Sequence, residues 1–188
     1  MQAVIAIPDL SILGNYGDVE KVLTREIAGV PLLIRVIATA RRAGADSLVV
    51  IWPPDIDQSI WNRCTASPLL QGLQVWRLVQ PFDPRQTDSW SAIATLLERQ
   101  FLWLPWNWVT HKRYLTKLSP LAVRPTAWDA PVLLEKRAAM DCTRIPRAPE
   151  PVEGVSVTLQ DNSAEAENFL VAHSGKPTDG MYSKLIDC

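Results

Sequence analysis

The first 52 residues alternate between apolar runs and polar stretches in the order strand, loop, helix, strand. Ala3–Ile7 is a continuous apolar run closed by a proline, which is typical of a strand buried on both faces. From Pro31 to Gly44 apolar residues recur at helical spacing, and Arg35 falls off that apolar face. Ser47–Trp52 is a second apolar run, so the pattern predicts a βαβ unit with two parallel strands.

The alternation continues towards the C-terminus and predicts further strands and helices. The strands are predicted at Leu73–Val79, Phe101–Leu104, Val132–Leu134 and Val155–Leu159, and the helices at Ile56–Cys64, Asp88–Glu98, His111–Leu118 and Asp161–His173. This order predicts a three-layer α/β fold of Rossmann-like type, in which helices cover both faces of a mainly parallel sheet. Arg144–Glu153 is proline-rich and polar, and it is therefore the best candidate for a linker.

The composition fits one globular domain. The chain has 188 residues, of which 47% are hydrophobic and 21% charged, and its net charge is −1. The composition excludes general disorder, and the near-zero net charge lacks the excess of positive charge that is typical of proteins that bind nucleic acid. The three cysteines form no CxxC pair, so we expect neither a zinc site nor a disulfide framework. No stretch reaches the roughly 20 apolar residues that a bilayer span needs.

Ligands of parallel α/β sheets bind outside the carboxyl ends of the strands, and three stretches of this sequence are candidates. The first is the loop after the opening strand, which contains Gly14 and Gly17 and is followed by Lys21 and Arg25. Glycine N–H groups and nearby cations bind phosphate. The spacing matches neither the dinucleotide fingerprint nor the P-loop, and an ordinary surface loop remains the alternative.

The other two stretches are Pro105–Trp108, directly after a predicted strand, and the pair Trp128 and Asp129 before the next one. A tryptophan-rich packing corner is the alternative for the first stretch, and a turn residue is the alternative for Asp129. His111 and His173 fall on predicted helices, where we expect them at the surface or its boundary and not as ligands.

The N-terminal part of the chain resembles nucleotidyltransferases with the GT-A-like, Rossmann-like fold. In these proteins a strand and a loop are followed by a G-x-P-L-L stretch that opens a long helix. The matching residues here are Gly29, Pro31, Leu32, Leu33, Arg35, Ala43 and Gly44. The segment FLWLPWNWV resembles the family's strand that ends in L-P-x-D, with Asn107 at the position of the aspartate. The resemblance covers roughly residues 3–125.

The C-terminal sequence AEAENFLVAHSGKPTDGMYSKLIDC resembles the juxtamembrane leader of CDP-alcohol phosphotransferases that are fused behind such a domain. The matching residues are Lys176, Pro177, Asp179, Gly180, Ser183 and Lys184. The resemblance implies a nucleotidyltransferase-like domain at residues 1–160 and a helical leader at residues 161–188, followed by a membrane transferase domain. It also implies a location at the cytoplasmic face of a membrane.

The same resemblance implies a reaction, namely transfer of CMP from CTP to a sugar- or polyol-phosphate. Mg²⁺ is the implied cofactor, and the fused membrane transferase is the implied consumer of the CDP-alcohol product. The implied roles are catalysis for Lys21 and Arg25, nucleotide binding for Pro8, Asp9, Gly14, Gly17 and Asn107, and metal binding for Asp129. No nucleic-acid partner is expected.

Two interpretations of this resemblance remain open. The first is an active cytidylyltransferase, and the second is a catalytically degenerate domain that binds a nucleotide or a partner and orients the membrane transferase. Pro8 and Asp9 stand where the family's loop has glycines. Asn107 offers a neutral amide to a cation that prefers charged oxygen.

Overall fold

A five-stranded sheet forms the centre of the protein in the computed structural model, which describes residues 1–7, 19–141, 143, 145–158 and 160–173. From edge to edge its strands are Gln74–Val79 (β5), Ser47–Trp52 (β4), Gln2–Ala6 (β1), Gln100–Trp103 (β6) and Val132–Glu135 (β8). The first four of these strands are parallel, whereas β8 runs antiparallel to β6. The prediction of a mainly parallel sheet is confirmed.

Shorter strands and seven helices complete the regular structure of the described residues. The strands pair as Glu26–Ile27 (β2) with Val30–Pro31 (β3), and Trp108–Thr110 (β7) with Gly154–Ser156 (β9). The helices are Val19–Thr24 (α1), Leu32–Arg42 (α2), Gln58–Thr65 (α3), Thr87–Ile93 (α4), Lys112–Leu115 (α5), Lys136–Met140 (α6) and Ser163–His173 (α7), with 3₁₀ turns at Pro68–Leu70 and Ala94–Leu96. One core beside the sheet contains residues of α1, α2, α3, α5 and α7, and a second core contains residues of α4 and α6. The predicted three-layer arrangement is therefore confirmed.

The strand β1 lies in the middle of the sheet, as its apolar sequence requires. All five of its residues are buried, and it pairs in parallel with β4 on one side and β6 on the other. A strand with neighbours at both edges and packed cores on both faces has no side that faces water, which explains its continuous apolar run. Its carboxyl end therefore opens onto the middle of one rim of the sheet.

The helix predicted at Asp88–Glu98 is shorter than expected. α4 ends at Ile93, and a 3₁₀ turn follows it. The cause is Gln2, which is 2% exposed. Its Nε2 donates to the carbonyl oxygen of Leu96 at 2.9 Å, and its Oε1 accepts from the backbone N–H of Glu98 at 3.0 Å. In a helix that continued to Glu98, the N–H of Glu98 would bond to the carbonyl oxygen of Ala94, and Gln2 takes the place of that bond.

Arg35 is buried, although it falls off the apolar face of α2. It is 3% exposed, and its Nε and Nη2 donate to the carbonyl oxygen of Ile27 at 3.0 and 2.8 Å. That carbonyl belongs to the β2–β3 hairpin, whose turn residues Ala28 and Gly29 both have positive φ, 50° and 73°. The arginine therefore fastens the hairpin to α2, a role that the spacing along the helix does not reveal.

The helix predicted at Asp161–His173 is present as α7, and it packs against the rest of the protein. Ala166 and Leu170 are 0% and 1% exposed in the same core as α2. Oε1 of Glu167 accepts a hydrogen bond from the backbone N–H of Ala28 at 2.8 Å. Within the part of the chain that the structure describes, no helix is both long and apolar enough to cross a membrane. The division of the chain at residue 160 remains a prediction.

Candidate functional site

The order of the strands reverses between β1 and β6. Starting from β1, the chain adds β4 and β5 on one side of the sheet and later adds β6 and β8 on the other. A cleft of about 560 Å³ opens here, and Ala6, Trp103 and Pro105 line it from the carboxyl ends of these two strands. In open α/β sheets such a reversal is where ligands bind.

The segment that follows β5 supplies one side of the cleft, from Phe82 to Arg85. Oδ1 of Asp83 accepts hydrogen bonds from the backbone N–H of Arg85 at 2.9 Å and from its Nε at 3.0 Å. Burial by itself raises the pKa of Asp83, but the hydrogen bonds from Arg85 outweigh it and lower that pKa below the usual value. The side chain of Arg85 is 66% exposed, so the pair presents an oriented guanidinium at the cleft.

Tryptophans form a second side of the cleft. The rings of Trp90 and Trp128 lie 5.2 Å apart, and Trp103 meets Trp128 edge-on at 5.3 Å. Nε1 of Trp103 also donates to the carbonyl oxygen of Trp128 at 3.0 Å. These contacts fix the orientation of the Trp128 ring, which lines the cleft with the exposed Asp129 beside it.

A third side consists of Asn107 and residues 156–158, which we call the 156–158 wall. Nδ2 of Asn107 donates to Oγ of Ser156 at 3.0 Å and to the carbonyl oxygen of Val157 at 2.9 Å. The backbone N–H of Val157 donates to the carbonyl oxygen of Asn107 at 2.8 Å. Because side chains alternate along an extended segment, Val157 is fully buried while Ser156 and Thr158 line the cleft. The Asn107 amide thus acts as a hydrogen-bond donor that holds this wall.

The structure brings two of the predicted site residues, Asn107 and Asp129, into this cleft. Lys21 is exposed on α1 and is not among the lining residues. Arg25 lies behind the 156–158 wall, where its Nη1 donates to the carbonyl oxygen of Thr158 at 2.5 Å. Four of the predicted site residues lie outside the described ranges, namely Pro8, Asp9, Gly14 and Gly17. The matched residues of the C-terminal leader also lie outside them. The roles assigned to all of these residues remain predictions.

Sequence reasoning did not single out Asp83, Arg85, Ser156 or Thr158 as cleft residues. Asp83 and Arg85 follow the end of a predicted strand, so the rule about carboxyl ends could have found them. Ser156 and Thr158 gave no such signal, because Ser156 reaches Asn107 from 49 residues away through the antiparallel pairing of β7 with β9.

The cleft residues do not by themselves build a site for Mg²⁺. Among the residues that the structure describes, no group of three or more His, Cys, Asp or Glu side chains could hold a metal. The carboxylate of Asp83 is paired with Arg85, and Asn107 offers only the neutral oxygen of its amide. Since a hard divalent cation prefers several charged oxygen ligands, Asp129 alone is an incomplete donor set.

Comparison with known proteins shows a similar fold without a detectable sequence relative. No family model matches the chain, and no curated protein gives a significant match. HddC from Yersinia pseudotuberculosis matches with a TM-score of 0.57 and 11% identity, over 89% of this chain and 98% of that one. HddC complexed with GMP-PN gives a TM-score of 0.58 at 10% identity, with the same coverage.

A structure of the inositol-1-phosphate CTP transferase from T. maritima matches more weakly. Its TM-score is 0.45 at 14% identity, over 61% of this chain and 46% of that one. The likeness to HddC extends over nearly the whole length of both chains, and the two proteins share a mixed α/β fold with a mainly parallel central sheet.

Proposed function

We propose that this chain is a nucleotidyltransferase-like domain that binds a nucleoside triphosphate in the cleft at the ends of β1 and β6. The observation that carries the proposal is the position of the cleft at the reversal of strand order, the crevice in which open α/β sheets bind their ligands. The likeness to HddC supports a nucleotide as the ligand, because one structure of that protein holds GMP-PN.

The described side chains have distinct parts in this proposal. Arg85 supplies the positive charge that phosphate groups require, and its pairing with Asp83 orients the guanidinium in advance. Trp128 offers a rigid aromatic surface against which a base or a sugar ring packs. Ser156 and Thr158 bring hydroxyl groups that donate to or accept from the ligand.

We propose CTP as the nucleotide and a sugar- or polyol-phosphate as the acceptor, on the strength of the sequence resemblance. In this reaction an acceptor phosphate oxygen forms a bond to the α-phosphorus of CTP, and the bond to the departing pyrophosphate breaks. This proposal places the phosphates beyond the described lining of the cleft, towards Lys21 and Arg25, which would stabilise the developing charge, and towards the loop that contains Gly14 and Gly17. A membrane transferase at the cytoplasmic face would then consume the CDP-alcohol.

A specific observation favours a second candidate, a domain that binds the nucleotide without transferring it. The position where the family has a metal-binding aspartate carries Asn107, and its amide nitrogen is engaged by two hydrogen bonds to the 156–158 wall. An amide used in this way has a structural task that a carboxylate could not perform, since a carboxylate has no N–H to donate.

Calorimetric titration with CTP tests the binding site. Arg85→Gln should weaken CTP binding by about tenfold or more, because a charge-assisted bond to phosphate is lost. Arg63→Gln removes the same charge from an exposed position of α3 outside the cleft, and it should bind CTP as the wild type does. Absence of CTP binding by the wild type, or equal loss in both variants, would contradict the proposed function.

Release of pyrophosphate separates the two candidates. The wild-type chain is incubated with CTP, Mg²⁺ and a panel of sugar- and polyol-phosphates. Pyrophosphate that appears only with an acceptor present supports the transferase, whereas CTP binding without pyrophosphate supports the domain that binds without transfer.

A further inference from the structure

We infer that Asn162 is a positioning residue for the cleft, and that ligand binding in the cleft is thereby coupled to the docking of α7. Asn162 stands directly before α7, and it is not one of the lining residues of the cleft. Its carbonyl oxygen accepts from the backbone N–H of Ala166 at 3.2 Å, which makes it part of the first turn. The coupling to a ligand rests on the proposed function, whereas the positioning of the wall does not.

The side-chain amide of Asn162 holds the 156–158 wall from the side opposite to Asn107. Its Nδ2 donates to the carbonyl oxygen of Ser156 at 2.7 Å, and its Oδ1 accepts from the backbone N–H of Thr158 at 3.1 Å. One amide thus pairs with the backbone on both sides of Val157, as a neighbouring strand would. Since Ser156 and Thr158 line the cleft, this amide fixes where their hydroxyl groups stand.

The position of Asn162 depends in turn on α7. Leu170 and Ala166 anchor the helix in the core, and Glu167 fastens it to the β2–β3 hairpin. If α7 detached from the core, Asn162 would move with it. The backbone groups of Ser156 and Thr158 would then lose their hydrogen bonds to Asn162. A ligand that needs the wall in place therefore binds better when α7 is docked, and by linkage it stabilises the docked helix.

A second contact joins the same wall to the N-terminal part of the chain. Nη1 of Arg25 donates to the carbonyl oxygen of Thr158 and lies 3.9 Å from Oδ1 of Asp161, the residue before Asn162. The start of α7, the wall and the segment that follows α1 are therefore fastened together at one place. Asn162 has the central position because it bonds the wall through both ends of its amide.

The experiment compares Asn162→Ala with Glu167→Ala by hydrogen exchange and by CTP titration. Both substitutions remove a side-chain tie of α7, but only Asn162 touches the 156–158 wall. We expect Asn162→Ala to speed exchange of the wall amides and to weaken CTP binding by about five- to tenfold. Glu167→Ala should leave both quantities within about twofold of the wild type, because Ala166 and Leu170 still hold α7 in the core and Asn162 keeps its bonds to the wall.

The outcomes keep this inference apart from the proposed function. If the wild type binds CTP and Asn162→Ala binds it equally well, or if both variants lose affinity alike, the positioning role is wrong and the proposed function stands. If the wild type does not bind CTP, the proposed function fails, and exchange of the wall amides still decides the positioning role: faster exchange only in Asn162→Ala supports it, and unchanged exchange overturns it.

Two further measurements complete the test. Asn162→Asp serves if the alanine variant does not fold: it keeps an acceptor for the Thr158 N–H, but it replaces the donor to Ser156 with a charged oxygen beside that carbonyl, so exchange of the wall amides should again be faster than in the wild type, and unchanged exchange would overturn the positioning role. CTP added to the wild type should slow exchange of the α7 amides severalfold, and this protection should be lost in Asn162→Ala. Protection of α7 that is equal in both proteins would overturn the coupling.

Discussion

At the scale of the residue, Asn107 shows how hydrogen bonding determines which side chain a position accepts. The amide group has two N–H bonds, and in this protein they serve Ser156 and Val157. A carboxylate of the same size has none, and it would set a negative charge 2.9 Å from a carbonyl oxygen. The departure from the L-P-x-D pattern at this position therefore has a structural reason, whatever its effect on chemistry.

Asn107→Asp should therefore destabilise the protein. We expect a loss of about 1–3 kcal/mol in the free energy of unfolding, because the Val157 carbonyl loses its donor and meets a negative charge instead. Urea denaturation at neutral pH measures this loss. The control is Asn62→Asp on α3, where Oδ1 only accepts a hydrogen bond from Gln58 at an exposed position, so the same change should cost less than about 0.5 kcal/mol. Equal stability of the two variants would contradict the role given to the Asn107 amide.

At the scale of the element, α5 begins at a titratable cap. Nδ1 of His111 accepts a hydrogen bond from the backbone N–H of Arg113 at 3.1 Å. Partial burial, together with the positive charges of Arg113, Lys112 and His173, lowers the pKa of His111 below the ordinary value of 6.5. The unfolded chain therefore takes up the proton at a higher pH than the folded protein does.

This shift makes the stability of the protein depend on pH. The contribution of His111 is fully present above about pH 6.5 and is lost as the pH falls through the lower folded pKa. His111→Asn should flatten this part of the profile, because asparagine caps a helix without titrating. Thermal unfolding between about pH 7 and pH 5 checks this, with His173 kept in both proteins. An unchanged profile in His111→Asn would show that the cap does not respond to pH.

The helix α7 gives a second prediction at this scale. Leu170 is 1% exposed in the main core, whereas its neighbour Val171 is 37% exposed. Leu170→Ala should cost about 2–4 kcal/mol of unfolding free energy because it leaves a cavity, and Val171→Ala should cost less than about 0.5 kcal/mol. Chemical denaturation of the full chain measures both values. Two equally small effects would mean that α7 does not share the folding unit of the sheet.

Prediction from sequence succeeds for the elements whose own pattern of apolar residues determines how they pack. The apolar runs at β1 and β4 have no polar side, so a buried parallel strand is the simplest solution. The end of α4 could not be predicted, because it is set by Gln2, which lies 96 residues before Glu98. The burial of Arg35 could not be predicted for a similar reason. Its partner is the carbonyl oxygen of Ile27, which belongs to a hairpin that the helical pattern does not describe.

At the scale of the whole molecule, the position of the cleft was predictable and its lining was only partly so. The carboxyl ends of β1 and β6 lie at the same rim of the sheet, because these two strands are parallel neighbours. Asn107 and Asp129 were singled out and line the cleft. Ser156 comes from a remote antiparallel pairing, and local sequence carries no information about that pairing.

The surface charges predict how the whole molecule responds to acid. Hydrogen bonds from ammonium, N–H and O–H groups lower the pKa of four exposed carboxyls: Asp46, Asp57, Glu153 and Asp161. A carboxyl with a lowered folded pKa stabilises the protein above its unfolded pKa, and this contribution is lost as the pH falls through the folded value. The free energy of unfolding should therefore decrease from about pH 5 downwards, as denaturant midpoints at successive pH values will show. Glu153→Gln, which keeps an acceptor for the Tyr114 hydroxyl at 2.5 Å, should make that decrease shallower.

The central place of β1 has a consequence for how the chain is made. Gln2 pairs with Ser47 on one side and with Phe101 on the other, so β1 leaves the ribosome well before the second of its two neighbours. At the roughly 5–20 residues per second of translation, that interval lasts about 5–20 s. During this interval, one edge of the apolar strand β1 has no hydrogen-bonded neighbour. Chaperones that act during synthesis therefore have a binding target in this protein that disappears once the sixth strand is in place.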